Sequence, residues 1–318
     1  MKYRPTVVTC LAGALCLACG TALLAEPPAP PDKKADPGPF IRLKRDARDV
    51  PVALETAVVR YVPASGEGGL VVDLVGAVHV GDRAYYERLN KQFEQYDVLL
   101  YELVAPPGTR IPKGGRKSDN PLVILQQLTK TVLDLESQTE QVDYTKKNFV
   151  HADLSPEGMS EAMRNRGEDG LTLFLGITAD MLRQQNLQER KRAKEPAKDE
   201  DFDPLALLLD PDGPVKLKRM MAEQLVESGS GAGLGQTLNT NLVADRNEAA
   251  LKVFGKELAK GRKKIGIFYG VAHLPDFEKR LRADFGLKRD GEQWLTAWDL
   301  TRKPKEMGLG DLLKLLGQ

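Results

Sequence analysis

The chain has three histidines, and two of them close the same short pattern: Gly76-Ala77-Val78-His79 and Gly270-Val271-Ala272-His273. Each pattern follows a β-rich apolar run and leads towards a helix. Imidazole is both the usual metal ligand and the usual general base near neutral pH. Glycine ahead of it lets a ligand or another backbone come close. A carboxylate joins the pair. Glu102 lies in the apolar run Leu99-Leu100-Tyr101-Glu102-Leu103-Val104. An acid in such a strand must be paired, protonated or metal-bound, because burying it alone is costly. His79, His273 and Glu102 together suffice to hold a divalent metal with one position left for water. The residue types allow Mn, Co, Zn or Fe without choosing among them, and Glu102 is either a ligand or the general base. The plainer reading of a single strand-end histidine is a hydrogen-bonded structural residue.

Arg246 and Asn247 lie on a long helix ahead of the second pattern. A guanidinium there is suited to binding a substrate carboxylate or a developing oxyanion. The plainer reading is an exposed ion pair with Asp245 or Glu248, of small energetic value. Asn247 would orient a ligand or cap the backbone locally. His151 and Asp153 read as structural residues at a helix entry, with a supporting hydrogen bond to a ligand as the alternative. Tyr269 reads as core packing.

These groups need a scaffold that brings distant segments to one place. Residues 54–62 are β-rich. Residues 70–80 and 97–104 are nearly continuous apolar runs, as buried strands are. Between the latter two, Asp82 is placed to cap a helix from Arg83 to about Tyr96. This β-α-β order predicts a parallel pair. Helical periodicity marks 120–136, 156–166, 171–195, 204–228 and 237–260, the last ending at Gly261. A buried strand over 264–273, a helix from Pro275 to about Phe285, a strand over 295–300 and a short amphipathic helix over 309–316 complete the chain. The expected fold is α/β: a central, mostly parallel sheet flanked by helices, with a helical insertion at about 105–235. In such sheets ligands bind at the carboxyl ends of the strands, where both histidines fall.

The N-terminus has the layout of an export signal. Met1–Arg4 is basic, an apolar run extends to Ala25, and 26–39 is a Pro-rich linker before a domain at 40–318. The three cysteines, Cys10, Cys16 and Cys19, all lie in that run, so the rest of the chain has no thiol for a nucleophile or a thiolate metal site. Leu17-Ala18-Cys19-Gly20 also fits part of a lipoprotein box, so a lipid on Cys19 or an uncleaved helix are alternative tethers. Either way the protein is expected outside the cytoplasm. The net charge of +1 and the 6% aromatic content carry no nucleic-acid signature.

The paired GAVH and GVAH motifs, the YELV strand after the first and Ala244-Asp245-Arg246-Asn247 ahead of the second resemble the TraB/Tiki (TraB/PrgY/GumN) family. The wider superfamily of that family includes erythromycin esterase-like and haem-binding ChaN-like proteins. The resemblance runs from about residue 54 to residue 300. It implies a shared α/β core and a site made of His79, Glu102, Arg246 and His273. It further implies metal-dependent hydrolysis of peptide bonds, as in Tiki-like members. The superfamily also implies two alternatives: a metal-free hydrolase with a histidine base, or a protein that binds haem or a peptide signal without turnover.

Overall fold

Residues 40–106, 108–109, 111–112, 133–167, 212–227 and 236–302 are described by the computed structural model. The strands are β1 (Ile41–Arg45), β2 (Pro51–Pro63), β3 (Val71–Ala77), β4 (Val80–Gly81), β5 (Val98–Tyr101), β6 (Glu136–Ser137), β7 (Phe149–His151), β8 (Lys264–Gly270) and β9 (Leu287–Asp299). The helices are α1 (Arg83–Phe93), α2 (Gln138–Gln141), α3 (Pro156–Asn165), α4 (Gly213–Glu227), α5 (Gln236–Ala259) and α6 (Leu274–Phe285).

The fold is α/β. A seven-stranded sheet has the order β1-β2-β3-β8-β5-β7, with β9 paired to β2. The pairs β3–β8, β8–β5 and β5–β7 are parallel, and β2 is antiparallel to β1, β3 and β9. Hence β2 alone runs counter to the other strands, and the sheet is mostly parallel. β9 spans β2 from Ala53 to Pro63, so β1 and β3 must share its opposite edge in succession.

Alternation along the strands divides the core into two layers. Val75, Leu99 and Phe268 face α1 through Tyr86, Leu89 and Phe93. Leu74, Leu100 and Ile267 face α5 and α6 through Phe254, Leu274 and Phe277. Period two in the strands and period 3.6 in the helices give each face its apolar cover. The buried α5 residues Asn247, Ala250, Leu251 and Phe254 fall at three- and four-residue steps. Asn247 is therefore on the core stripe, while Arg246 lies one position off it. Gly266 shows how tight the sheet–α1 side is: a Cβ there would lie 2.5 Å from Leu99 Cδ1 and 2.7 Å from the Tyr96 ring.

Several expectations are corrected. β3 and β5 are parallel but not neighbours, because β8, from far along the chain, lies between them. The stretch 105–235 is not wholly a helical insertion, since β7 within it is a strand of the main sheet. Residues 133–137 are a turn and a short strand rather than helix. The last strand begins at Leu287, not Leu295; its polar first half is an edge paired along β2, where a period-two apolar signal is not required. β1 has no such signal either: it is short, mostly exposed and at an edge. Asp82 precedes α1 but makes no side-chain cap to it. Its carboxylate instead takes the Asp299 N–H at 2.5 Å and the buried Lys218 Nζ at 3.4 Å. The expected helices over 120–132, 171–195 and 309–316 and everything before residue 40 lie outside the described residues. No helix among the described residues is long and apolar enough to cross a membrane.

Candidate functional site

The carboxyl ends of β3, β8, β5 and β7 form one rim. Ala77 pairs with Gly270, so the two Gly-x-x-His patterns leave neighbouring strands almost level. They also touch: a Cβ on Gly76 would lie 3.0 Å from Val271 Cγ1. Past Gly270 the chain turns through a short 3-10 segment, Val271–His273, so His273 stands at the start of α6. Pro275 in the first turn of α6 suits that entry. Glu102 follows β5 directly, its N–H still bonded to Phe268 O at 3.2 Å. Asp153 lies two residues beyond β7.

Arg246 reaches from α5 over this rim and binds what the strands deliver. Its Nη2 donates to Glu102 Oε1 at 2.6 Å and to Asp153 Oδ2 at 2.7 Å, and its Nε donates to Asp153 Oδ1 at 3.0 Å. Nη1 lies 3.3 Å from His273 Nε2. The Asp153 contact is a two-point fork, the strong geometry for guanidinium and carboxylate, and the Asp153 side chain is 0% exposed. Glu102 Oε2 accepts the Gly270 N–H at 2.7 Å. A Cβ on Gly270 would meet that oxygen at 3.3 Å, which is why the first residue of the second pattern is small.

The ring of His273 is fixed on its other side. Nδ1 lies 2.7 Å from Asn247 Oδ1, while Asn247 Nδ2 donates to His273 O at 3.0 Å and to Asp276 Oδ2 at 2.9 Å. The amide oxygen can only accept, so Nδ1 carries the proton. Nε2 is then a lone pair facing the guanidinium. Tyr269 stacks edge-on against the same ring at 5.1 Å, and its hydroxyl bonds the Ala152 carbonyl.

Electrostatics follow this arrangement. Burial, reinforced by the Arg246 cation, pushes the His273 imidazole down to about 4, against the opposing pull of Glu102 and Asp153. Burial alone would raise Glu102. A charged His273, Arg246 and the Gly270 N–H outweigh it and hold the carboxyl below its usual value. Near pH 7 the ring is neutral, so the guanidinium and the N–H do that work. Burial disfavours the Arg246 charge, but its bonds to Asp153 and its attraction to Glu102 raise its affinity for the proton further.

A pH dependence of stability follows. His273 titrates near 6.5 in the unfolded chain and near 4 in the fold. Between those values the unfolded chain binds more protons, so the contribution is complete above pH 6.5 and is lost as the pH falls towards 4, a change of roughly 3 kcal/mol. Glu102 acts in the same direction, losing its contribution below its ordinary 4.5. Urea unfolding between pH 7 and pH 4 is expected to show this fall. Replacing His273 with Gln should flatten the part between pH 6.5 and 5.

The predicted residues therefore separate into two groups. Glu102, Arg246 and His273 form one cluster, with His273 buried and the other two partly buried. His79 is at the same rim but exposed. Its backbone oxygen accepts the Gln138 N–H at 2.9 Å, and its ring is hydrogen-bonded to nothing among the described residues. It is near enough to help lower the Glu102 carboxyl. Asn247 is fully buried with its amide committed, so it orients His273 rather than meeting substrate. His151 bonds Leu103 O through Nε2 at 2.5 Å and is structural. Arg246 is not an exposed surface pair: Asp245 bonds Arg166 and Glu248 bonds Lys252 instead. Asp153 reads from sequence as a structural helix-entry residue, with a supporting hydrogen bond as the alternative; its fork to Arg246 has no sequence signal. β7 ahead of it is three residues long and only partly buried, so it leaves almost no periodic signal.

The three predicted metal ligands do not fit a metal as they stand. Both Glu102 oxygens are engaged, Nε2 of His273 faces a cation, and no group of three or more ligand side chains among the described residues is placed to hold an ion. No family model, no curated protein and no solved structure matches the chain.

Proposed function

We propose that the chain is a hydrolase of the TraB/Tiki kind, acting on peptide or related amide bonds outside the cytoplasm. The observation that supports this reading is the convergence of Glu102, Arg246 and His273 from three distant segments at the carboxyl rim, beside the first Gly-x-x-His pattern at His79. Export through the N-terminal signal, or tethering by a lipid on Cys19, belongs to the same proposal.

Each residue has a role the geometry allows. His79, the exposed imidazole, takes a proton from the attacking water as oxygen bonds to the carbonyl carbon. Among the described residues, Glu102, Asp153 and His273 engage four of the five Arg246 N–H groups. The remaining Nη1 N–H is left to donate to the carbonyl oxygen as it gains charge. The proton then passes from His79 to the leaving nitrogen as the C–N bond breaks. Glu102 and Asp153 hold the guanidinium, and neutral His273 keeps its plane fixed.

The test is hydrolysis of a panel of peptide p-nitroanilides and p-nitrophenyl esters by the full chain, with His79→Ala as the comparison. Turnover that disappears in His79→Ala supports the reading. Undiminished turnover in that variant, or none in the wild type across the panel, overturns it.

A further inference from the structure

His79 stands between the end of β3 at Ala77 and the start of β4 at Val80. A segment that leaves a sheet in this way can give its carbonyls to water. Here three successive carbonyls are each taken by a different element. Tyr86 Oη of α1 donates to Val78 O at 3.0 Å, the Gln138 N–H of α2 donates to His79 O at 2.9 Å, and Trp298 Nε1 of β9 donates to Val80 O at 2.7 Å. The Asp82 N–H closes the segment on Ala297 O at 2.8 Å. Packing removes the remaining room: a Cβ on Gly81 would lie 3.2 Å from Ala297 O and from Tyr85 Cδ1, and 3.4 Å from Tyr86 Oη. The α2 side is itself tied down. Val80 and Gly81 pair with Ser137 and Glu136, and Asn90 Nδ2 of α1 donates to Gln141 O at 2.8 Å. The His79 side chain, by contrast, belongs to an exposed residue.

We propose that Tyr86 and Trp298 are positioning residues for His79: their side-chain donors, with the Gln138 N–H between them, fix three successive carbonyls, so that the exposed imidazole is carried by a rigid backbone. The reason is reach. A general base acts only within about 3 Å of the proton it takes, and a misplacement of roughly 1 Å can cost about 10²-fold in rate. An exposed ring keeps rotamer freedom of its own, so a backbone without play is what brings it back to one place. Both donor rings are buried. Apolar packing accounts for the rings but not for their polar ends, and both of those ends are spent on the residues flanking His79.

This inference rests on the hydrolase reading, and two readouts on the full chain keep their failures apart. Tyr86→Phe and Trp298→Phe each keep an aromatic ring and remove one donor. Tyr96→Phe loses a hydroxyl bonded to Asp73 Oδ2 at 2.9 Å, towards the other end of β3, and is the control for general destabilisation. Circular dichroism establishes folding of all three. The first readout is amide hydrogen exchange over Val78–Asp82, followed by mass spectrometry. Exchange there is expected to be about tenfold or more faster than wild type in Tyr86→Phe and Trp298→Phe, but not in Tyr96→Phe. The second is hydrolysis of the p-nitroanilide panel, where kcat should fall by on the order of 10–10²-fold in both variants with KM within about twofold. Wild-type turnover that persists with unchanged kcat in both folded variants overturns the proposal and leaves the hydrolase reading standing. So does exchange over Val78–Asp82 that stays at the wild-type rate in both. Absence of turnover in the wild type overturns the two together. Should Trp298→Phe not fold, Tyr86→Phe, which loses only a hydroxyl, is read by the same criteria.

Discussion

Asp153→Ala is expected to destabilise the fold by about 3–5 kcal/mol, the range for removing one partner of a buried ion pair. The loss follows from the two-point bond. Asp153 is 0% exposed in its side chain and holds both Nε and Nη2 of Arg246. Without it, one carboxylate must carry a guanidinium that no water reaches well. Asp153 Oδ1 also accepts the Leu154 N–H, which the alanine leaves bare. Asp153→Asn keeps an acceptor and the shape, so a smaller cost of about 2 kcal/mol is expected, near the value of a charged hydrogen bond. A double variant, Asp153→Ala with Arg246→Met, should lose less than the sum of its parts, because it removes the charge that the single variant strands. Urea midpoints at pH 7 of the wild type, Asp153→Ala, Arg246→Met and the double variant measure this. Full additivity would mean that the fork contributes no coupling, contrary to its geometry.

Much of this arrangement was legible in residue order, and what was missed has physical reasons. The apolar runs ending at His79 and His273 are central strands buried on both faces, and such strands show themselves as unbroken hydrophobic stretches. Glu102 stood out because an acid within such a stretch needs a partner. The identity of that partner was not legible. Arg246 reads as a guanidinium suited to a substrate anion, or as a surface pair with Asp245 or Glu248, not as the partner of Glu102. Only the packing of α5 across the sheet, by Ala250, Leu251 and Phe254, sets it over the rim. Strand order was hidden for a similar reason. β8 enters between β3 and β5 from the far end of the chain, and no local periodicity records which strands become neighbours. That insertion makes the site, because it places Gly270 and His273 between the histidine of β3 and the carboxylate of β5. Asp82 shows the reverse error. Its position before α1 predicts a cap, but the buried Lys218 and the Asp299 N–H take its oxygens first, and a buried cation outbids a helix end that solvent can satisfy.

His79→Ala is expected to reduce kcat/KM by about 10²–10⁴-fold, the range for loss of a general base, while changing stability by no more than about 0.5 kcal/mol. The two parts rest on the same feature. His79 is exposed, and its fixed contact is a backbone carbonyl that alanine retains. Its ring supports nothing in the core, so its removal should be visible in turnover alone. His273→Ala is the contrasting case. That ring is 5% exposed, bonded to Asn247 and stacked on Tyr269. Its loss empties a buried space and leaves the Asn247 oxygen unpaired, at a cost of about 2 kcal/mol or more. Activity would fall there as well, but through a displaced Arg246. Comparing the two variants therefore separates a group that meets the substrate from one that holds the machinery. Added imidazole provides a second discriminator. The exposed cavity left by His79→Ala can admit it and recover part of the rate, whereas the buried gap at His273 is closed to it by its surroundings. Rescue at His79 without rescue at His273 is the expected pattern. Equal destabilisation of the two variants, with no rescue at either, would assign His79 a structural part and move the search for the base elsewhere on the rim.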